Sequence, residues 1–285
     1  YTSVFALNRK EAFRSAAETA LAGHRDEQAL VLRNRTYQVI ANPVEHDGQV
    51  VGAVMLVLDV TEKEQRDHFR REFTANVSHE LKTPLTAISG YAEIIRDGIA
   101  KDEDVKPFAG KIYDEAARLV DLVKDILKLS RFDEGLIEEE KIGIDLYALA
   151  ENIARRLAEE AAKREVSVRV EGESAVVSGI PYMLDEMLFN LMENAVKYNK
   201  QGGNVTVIVS TDPTRVIVRD TGIGIPVEER NRIFERFYRV DKSHSKGIAG
   251  TGLGLSIVKH SAAYHGAAVT LESEEGEGTT VTVTF

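Results

Sequence analysis

Apolar and polar positions change their period twice along the 285 residues. Over residues 1 to 60 a helical stretch, "NRKEAFRSAAETALAG", is followed by the runs "EQALVLRNRTYQVIANPV" and "QVVGAVMLVLDV". The runs alternate in the manner of strands with one buried face, and "HDG" between them supplies a tight turn. A hairpin in an antiparallel sheet is therefore expected. The segment is short for a complete domain.

From Thr61 the period becomes helical. Phe69, Phe73, Val77, Leu81, Leu85, Ile88, Ala92 and Ile95 recur at three- and four-residue steps and form one apolar seam. Asp97-Gly98 ends that helix. A second runs from about Val105 to Phe132, with Ile112, Leu119, Leu122, Val123, Ile126 and Leu129 on one side. Two long helices with a short connection make an antiparallel hairpin, and dimerisation into a four-helix bundle is the economical way to cover its apolar face. After "DEG" at 133 to 135 the texture is mixed. Helices at 146 to 164, 181 to 198 and 252 to 264 are expected. Strands are expected at 166 to 171, 174 to 178, 204 to 210, 215 to 219, 268 to 273 and 279 to 285. They describe an α/β sandwich of about 150 residues. The fold class is multidomain α+β, divided at 1–60, 61–136 and 137–285.

Composition narrows the possibilities. Hydrophobic content of 43% and charged content of 29% are those of an ordinary globular protein. A net charge of -10 argues against nucleic acid as partner, because phosphate backbones need a basic face. The absence of cysteine excludes disulfides and thiolate metal sites, and suits a reducing, cytoplasmic interior. The longest apolar run, "VVGAVMLVLDV", is strand-like and too short for a membrane span. The chain begins at Tyr1 rather than Met, so it is expected to be part of a longer protein whose membrane anchor or sensor, if any, lies upstream.

Three stretches carry chemistry. In "DEMLFNLMENAVKYN", at about 100° per residue, Glu186, Asn190, Asn194 and Lys197 fall on one stripe beside apolar Leu184, Leu188, Leu191 and Ala195. Asparagine is a mediocre helix former, so two of them in register with a lysine look placed. Amide oxygens and carboxylates are hard ligands for Mg²⁺, and a lysine suits phosphate; a merely solvated helix face is the competing reading. In "VIVRDTGIGIP", Asp220 ends a β-rich run, where it could accept a hydrogen bond from an exocyclic amine, and Gly222 and Gly224 let the backbone turn sharply. An ordinary Asp-Thr-Gly turn would look the same. In "GIAGTGLGLSIVKH", glycines 250, 252 and 254 lead into an apolar-periodic helix, whose free amides and positive dipole end suit phosphate oxygens. The polar "RVDKSHSKGIA" before it, in place of a strand, fits a lid over a nucleotide better than a dinucleotide fold.

The order of these motifs is more telling than any one of them. An Asn-rich helix, Asp-x-Gly-x-Gly, "FERFYR" and Gly-Thr-Gly-Leu-Gly resemble the N, G1, F and G2 boxes of sensor histidine kinases. "NVSHELKTPL" at 76 to 85 resembles the H box of that family, and residues 1 to 60 resemble the later part of a PAS sensor domain. The resemblance covers roughly residues 62 to 285. It implies Mg-ATP as cofactor, with Asn194 on Mg²⁺ and Asn190, Lys197 and Tyr198 near the phosphates. Asp220 would meet the adenine amine, with Gly222 and Gly224 shaping that pocket. Gly252, Leu253 and Gly254 would offer amides to the phosphates, and Arg239 and Lys242 charge from the lid. Ala249 stands where many relatives carry another glycine in the lid.

The resemblance also changes what His79 means. His79 lies two residues from both Val77 and Leu81, about 200° around the helix from the seam, and so points at solvent. Alone it would read as a structural or merely exposed histidine. Beside an ATP-binding domain it reads as a phosphoryl acceptor, since a neutral imidazole with pKa about 6.5 has the lone pair a nucleophile needs. Glu80 is the adjacent carboxylate that could orient the ring and take its proton. Pro84 denies the Glu80 carbonyl its helical partner, either as a tolerated kink or as a bend that carries a signal. The family pattern gives Thr83 the positioning of water for dephosphorylating the partner. What the resemblance implies, then, is a homodimeric kinase that phosphorylates His79 and passes the group to an aspartate on a response regulator, docked just after His79. A phosphatase-dominant signalling scaffold is the alternative. An ATPase of the chaperone or mismatch-repair type would share the pocket but lacks "SHELKTP".

Overall fold

The computed structural model describes residues 10–133, 139–240 and 250–285. It divides into two compact units, Tyr1–Asn76 and Val77–Phe285.

In the first unit, α1 (Glu11–Leu21) covers one face of a sheet ordered β1 (Asp26–Leu32), β2 (Arg35–His46), β3 (Gln49–Asp59), all antiparallel. Ala16 and Ala20 have little bulk, so the helix lies close against Leu30, Val39 and Ala41. Asp47 and Gly48 both take positive φ, 50° and 72°, the twist a tight hairpin requires, and the "HDG" turn falls where expected. The run 27 to 44, expected as one strand, is two. Arg33 and Asn34 turn it with φ of 47° and 64°, and only the asparagine is a usual occupant of that region. An arginine there gives no sequence signal.

Two long helices follow, α2 (Thr61–Arg96) and α3 (Asp102–Asp133). The helix runs on through Pro84, which is buried. α3 starts about a turn earlier than expected, with Asp102, Glu103 and Asp104 opposite its positive dipole end. Tyr91 of α2 stacks on Phe108 of α3 with ring centroids 5.4 Å apart, and the Lys111 ammonium sits 5.2 Å over the tyrosine ring. Leu122 and Leu129 are buried and Leu81 packs against them. Three seam positions differ from expectation: Leu85 is 50% exposed, Val123 41%, and Ala92 is also exposed. The seam is wider than one neighbouring helix can cover.

The sandwich begins with β4 (Ile142–Asp145), α4 (Leu146–Lys163), β5 (Ser167–Gly172), β6 (Val176–Gly179) and α5 (Pro181–Lys197). β7 (Asn204–Thr211), β8 (Thr214–Asp220), α6 (Gly254–Tyr264), β9 (Ala268–Glu274) and β10 (Gly278–Thr284) complete it. Five strands make one sheet, order β5-β7-β8-β10-β9, parallel only between β5 and β7. Every second residue of β7 is buried, and the three helices lie on that face around Ile153, Leu184, Leu188, Leu191 and Val258. β4, paired with β6, was not foreseen: four residues are too few to show a period. Asp145 caps α4, its Oδ1 accepting the amides of Tyr147 at 2.9 Å and Ala148 at 3.4 Å.

Candidate nucleotide site and phospho-acceptor helix

Helix α5 fixes the polar stripe because its opposite face is spoken for. Met183, Leu184, Met187, Leu188, Leu191, Met192, Ala195 and Val196 are buried, which leaves Glu186, Asn190, Asn194 and Lys197 half-exposed on one side. Asn190 Nδ2 donates to the Glu186 carbonyl at 2.8 Å, and that bond aims its amide oxygen outward. Burial lowers the pKa of Lys197; Glu193 opposes that shift, and Arg239, Arg164 and Arg118 add to it. Cations therefore converge on one ammonium, an arrangement that an incoming polyphosphate would relieve. Tyr198 caps the helix and its phenol is pushed up by burial.

The glycine-rich segments meet this stripe. Gly254 opens α6, and a Cβ there would stand 2.5 Å from Asn190 Oδ1. A Cβ on Gly250 would stand 2.9 Å from Lys197 Nζ. Gly252 takes φ +71° against the Phe237 backbone, and its carbonyl accepts the Phe237 amide at 2.9 Å. Asp220 ends β8; its Oδ1 accepts the amides of Gly222 at 2.8 Å and Thr279 at 3.2 Å. Burial raises its pKa and those two bonds oppose the shift. Oδ2 has no partner among the described residues, so one oxygen is pinned and the other is available to an amine. Gly224 lies at the next turn, close against Glu274. Arg239 lies near Lys197 and Tyr198. Lys242 and Ala249 lie outside the described residues.

Sequence reasoning missed the contribution of α3. The Thr251 hydroxyl donates to Asp125 Oδ2 at 2.8 Å, and Lys128 pairs with Glu186 at 2.8 Å. Leu253 and Ile257 are fully buried in one cluster with Leu122 and Leu129, and Ile126, Leu81 and Phe237 pack on it. Burial raises the Asp125 pKa, against the bond from Thr251 and the charge of Lys128. Nothing local in the sequence announces these contacts, because the partners are 126 positions apart.

On α2, His79 and Thr83 are exposed and Glu80 is half-buried. Thr83 Oγ1 donates to the His79 carbonyl at 3.3 Å, one turn back. The imidazole has no partner among the described residues. Glu80 points about 100° away from it, as adjacent helical residues must. A proton passing from ring to carboxylate therefore needs a rotamer change or a water.

The donors fit a magnesium nucleotide. Asn194 presents an amide with no partner among the described residues. Mg²⁺ is usually held by one or two protein oxygens together with phosphates and water. Among the described residues no cluster of three His, Cys, Asp or Glu could make an all-protein cage. A metal here would draw its other ligands from nucleotide oxygens and water.

Comparison with known proteins places this arrangement. Residues 179–285 match the family of histidine kinase-, DNA gyrase B- and HSP90-like ATPases, and residues 69–135 match the His Kinase A phospho-acceptor domain. With the two in this order, the chain belongs to the sensor histidine kinases of two-component systems. It is 33% identical over 303 residues to the sensor histidine kinase WalK of Bacillus subtilis (strain 168), a match spanning 100% of this chain and 48% of that protein. It is 36% identical over 248 residues to the sensor protein kinase WalK of Staphylococcus aureus, across 85% of this chain and 60% of that one. The chain thus spans about half the length of the curated relatives it matches. In fold it is similar to histidine kinase ThkA, solved in complex with response regulator protein TrrA. That match has a TM-score of 0.59 at 22% identity, over 99% of this chain and 85% of that one. It is also similar to full-length ShkA in complex with AMPPNP, with a TM-score of 0.53 at 27% identity, over 75% and 45%.

Proposed function

We propose that the chain is the ATP-using part of a sensor histidine kinase. It binds Mg-ATP between α5 and the loop before α6, transfers the γ-phosphoryl group to His79, and passes it to an aspartate of a response regulator. The observation that carries the reading is one compact unit holding both an exposed imidazole, without a partner among the described residues, and an amide-and-lysine stripe against a glycine loop. In the transfer, His79 supplies the attacking nitrogen lone pair, and Glu80 is the proposed proton acceptor. Lys197 and the amides of Gly252, Leu253 and Gly254 neutralise phosphate charge, and Asn194 would hold a magnesium ion, which would supply further positive charge there. Phosphoryl transfer asks for little beyond such positioning and charge neutralisation.

Further parts of the reading go with it. The exposed leucine of the seam supports a homodimer through the hairpin, since a second copy would cover Leu85. The exposed polar residues of α2 just after His79, Lys82, Thr83 and Thr86 among them, are the proposed docking site for a receiver domain. Exposed Thr83, one turn from His79, supports phosphatase activity on that partner. Domain limits of 1–60, 61–136 and 137–285, with a PAS-like first segment, follow the change from sheet to hairpin to sandwich. No described helix is long and apolar enough to cross a membrane; the proposed place of these domains is the cytoplasm, beneath any anchor carried elsewhere.

The test is incubation with γ-labelled ATP and Mg²⁺. Protein-bound label that survives alkali, is lost in acid and is absent from His79→Ala supports the reading. ATP turnover without protein label overturns it in favour of an ATPase. Label transfer alone distinguishes kinase from scaffold; loss of label from a pre-phosphorylated regulator, abolished by Thr83→Ala, tests the phosphatase part.

A further inference from the structure

The two halves of the proposed nucleotide site stand on different elements. Asn194 and Lys197 lie near the end of α5, whereas Asp220 ends β8 and its loop runs on through Gly222 and Gly224. The turn just after α5 holds one against the other. There the Asn199 carboxamide uses its full hydrogen-bonding capacity. Its Nδ2 donates to the carbonyls of Ala195 and Asn204, each at 3.0 Å. Its Oδ1 accepts the Lys200 amide at 3.0 Å and the Thr221 hydroxyl at 3.3 Å. Thr221 Oγ1 in turn accepts the Asn204 amide at 2.9 Å, and the Thr221 amide donates to the Asn204 carbonyl at 3.2 Å. One side chain therefore joins the end of α5, the start of β7 and the loop after Asp220.

The surroundings are built to keep it there. A Cβ on Gly203 would collide with Asn199 Oδ1, so the carboxamide fills space that only a glycine leaves. Helix ends ordinarily leave carbonyls without partners. Here the Ala195 carbonyl takes Asn199 Nδ2, the Lys197 carbonyl takes Arg164 Nη1 at 3.2 Å, and the Tyr198 carbonyl takes the Ile223 amide at 3.1 Å.

We propose that Asn199 is a positioning residue for the nucleotide: its carboxamide clamps the phosphate-binding end of α5 to the base-binding loop after β8, and so sets the span that ATP bridges. The inference rests on reading Asp220 as the base contact and Lys197 with Asn194 as the phosphate side. A ligand made of two linked parts binds tightly only while both engage at once, and that gain disappears when the geometry shifts. Losing the clamp should therefore leave each part nearly as well bound as before and weaken only the joined ligand.

Three probes decide it, each titrated against the whole chain and followed by NMR: adenosine, inorganic tripolyphosphate with Mg²⁺, and a non-hydrolysable ATP analogue with Mg²⁺. Asn199→Ala is expected to weaken the analogue by about two- to tenfold, the scale of one internal hydrogen bond, and each separate part by less than about twofold. Thr221→Val removes only the loop-side hydroxyl and should show the same pattern. Together the two substitutions should cost less than the product of their single effects, because they break one connection. Asp145→Ala, which uncaps α4, controls for loss of stability and should leave all three affinities unchanged. The clamp is overturned if Asn199→Ala weakens adenosine by the same factor as the analogue, or if analogue affinity holds while Tm falls. Should Asn199→Ala fail to fold, Thr221→Val decides by the same comparison. An unaltered chain that binds neither adenosine nor the analogue overturns the nucleotide reading itself, and the clamp with it.

Discussion

Gly254→Ala separates packing from function at the nucleotide site. The substitution places a Cβ 2.5 Å from Asn190 Oδ1 and 3.3 Å from its Cγ, closer than non-bonded carbon and oxygen can approach. Asn190 must turn away, and in turning it gives up its bond to the Glu186 carbonyl at 2.8 Å. A hydrogen bond of that kind contributes roughly 0.5–1.5 kcal/mol. Against this, alanine is favoured over glycine in a helix by up to about 1 kcal/mol, somewhat less at a first position such as this one. The two terms nearly cancel. Global stability should change by less than about 1 kcal/mol, or a few degrees in Tm. Binding has no such compensation, because the turned amide leaves the site and the new methyl stands where phosphate approaches. A loss of at least about 1.4 kcal/mol, tenfold in affinity, is expected. Thermal unfolding by circular dichroism and titration with a non-hydrolysable ATP analogue measure the two quantities on one sample. Unchanged affinity with unchanged Tm would show that Asn190 and Gly254 do not face the phosphates. A large fall in Tm would show that Asn190 cannot turn, and the estimate of cancellation would be wrong.

Three further predictions concern single groups. His265 accepts the Ile180 amide at Nε2 (3.0 Å) and, as the neutral tautomer, donates from Nδ1 to the Ser261 carbonyl (2.7 Å); burial lowers its pKa. The native state therefore favours the neutral ring. Its stabilisation is complete above the unfolded value of about 6.5 and is lost as pH falls through and below it, so Tm should drop between pH 7.5 and 5 less steeply in His265→Gln. Asp145→Ala removes the cap of α4 and should cost about 1 kcal/mol by urea unfolding, with nucleotide affinity unchanged. The lowered pKa of Lys197, due to burial and then to its arginine neighbours, makes the charged form that phosphate needs scarcer as pH rises. Affinity for the ATP analogue should fall on the alkaline side, and Lys197→Met should be weaker throughout and lack that fall.

How far the sequence discloses this molecule depends on the range of each signal. The stripe of Glu186, Asn190, Asn194 and Lys197 is a helical period, and α5 presents it as the period requires. The hairpin helices and most strands of the sandwich carry enough residues to show theirs. β4 does not, and the turn at Arg33 and Asn34 hides in a run that alternates straight through it. Leu85 is a different case: its period puts it on the seam, yet a single α3 leaves it half in water. The α3 contacts of the phosphate loop were illegible for another reason. Asp125 and Lys128 look like any charged pair on a helix, and only the packing of Leu253 and Ile257 on Leu122 and Leu129 brings them to Thr251 and Glu186.

The central claim is that the nucleotide held by α5 and its glycine loop phosphorylates the exposed imidazole of α2. Trypsin offers a direct test, since cleavage after Arg71 and Lys82 releases a peptide, Glu72–Lys82, in which His79 is the only histidine. After a short incubation with Mg-ATP, digestion and mass analysis at neutral pH should find a phosphoryl group on that peptide. It should vanish on brief acid treatment and be absent from Asn194→Ala. A phosphoryl group that survives acid would place the modification on Ser78 or Thr74, and an unmodified peptide beside label elsewhere in the chain would contradict the assignment of His79.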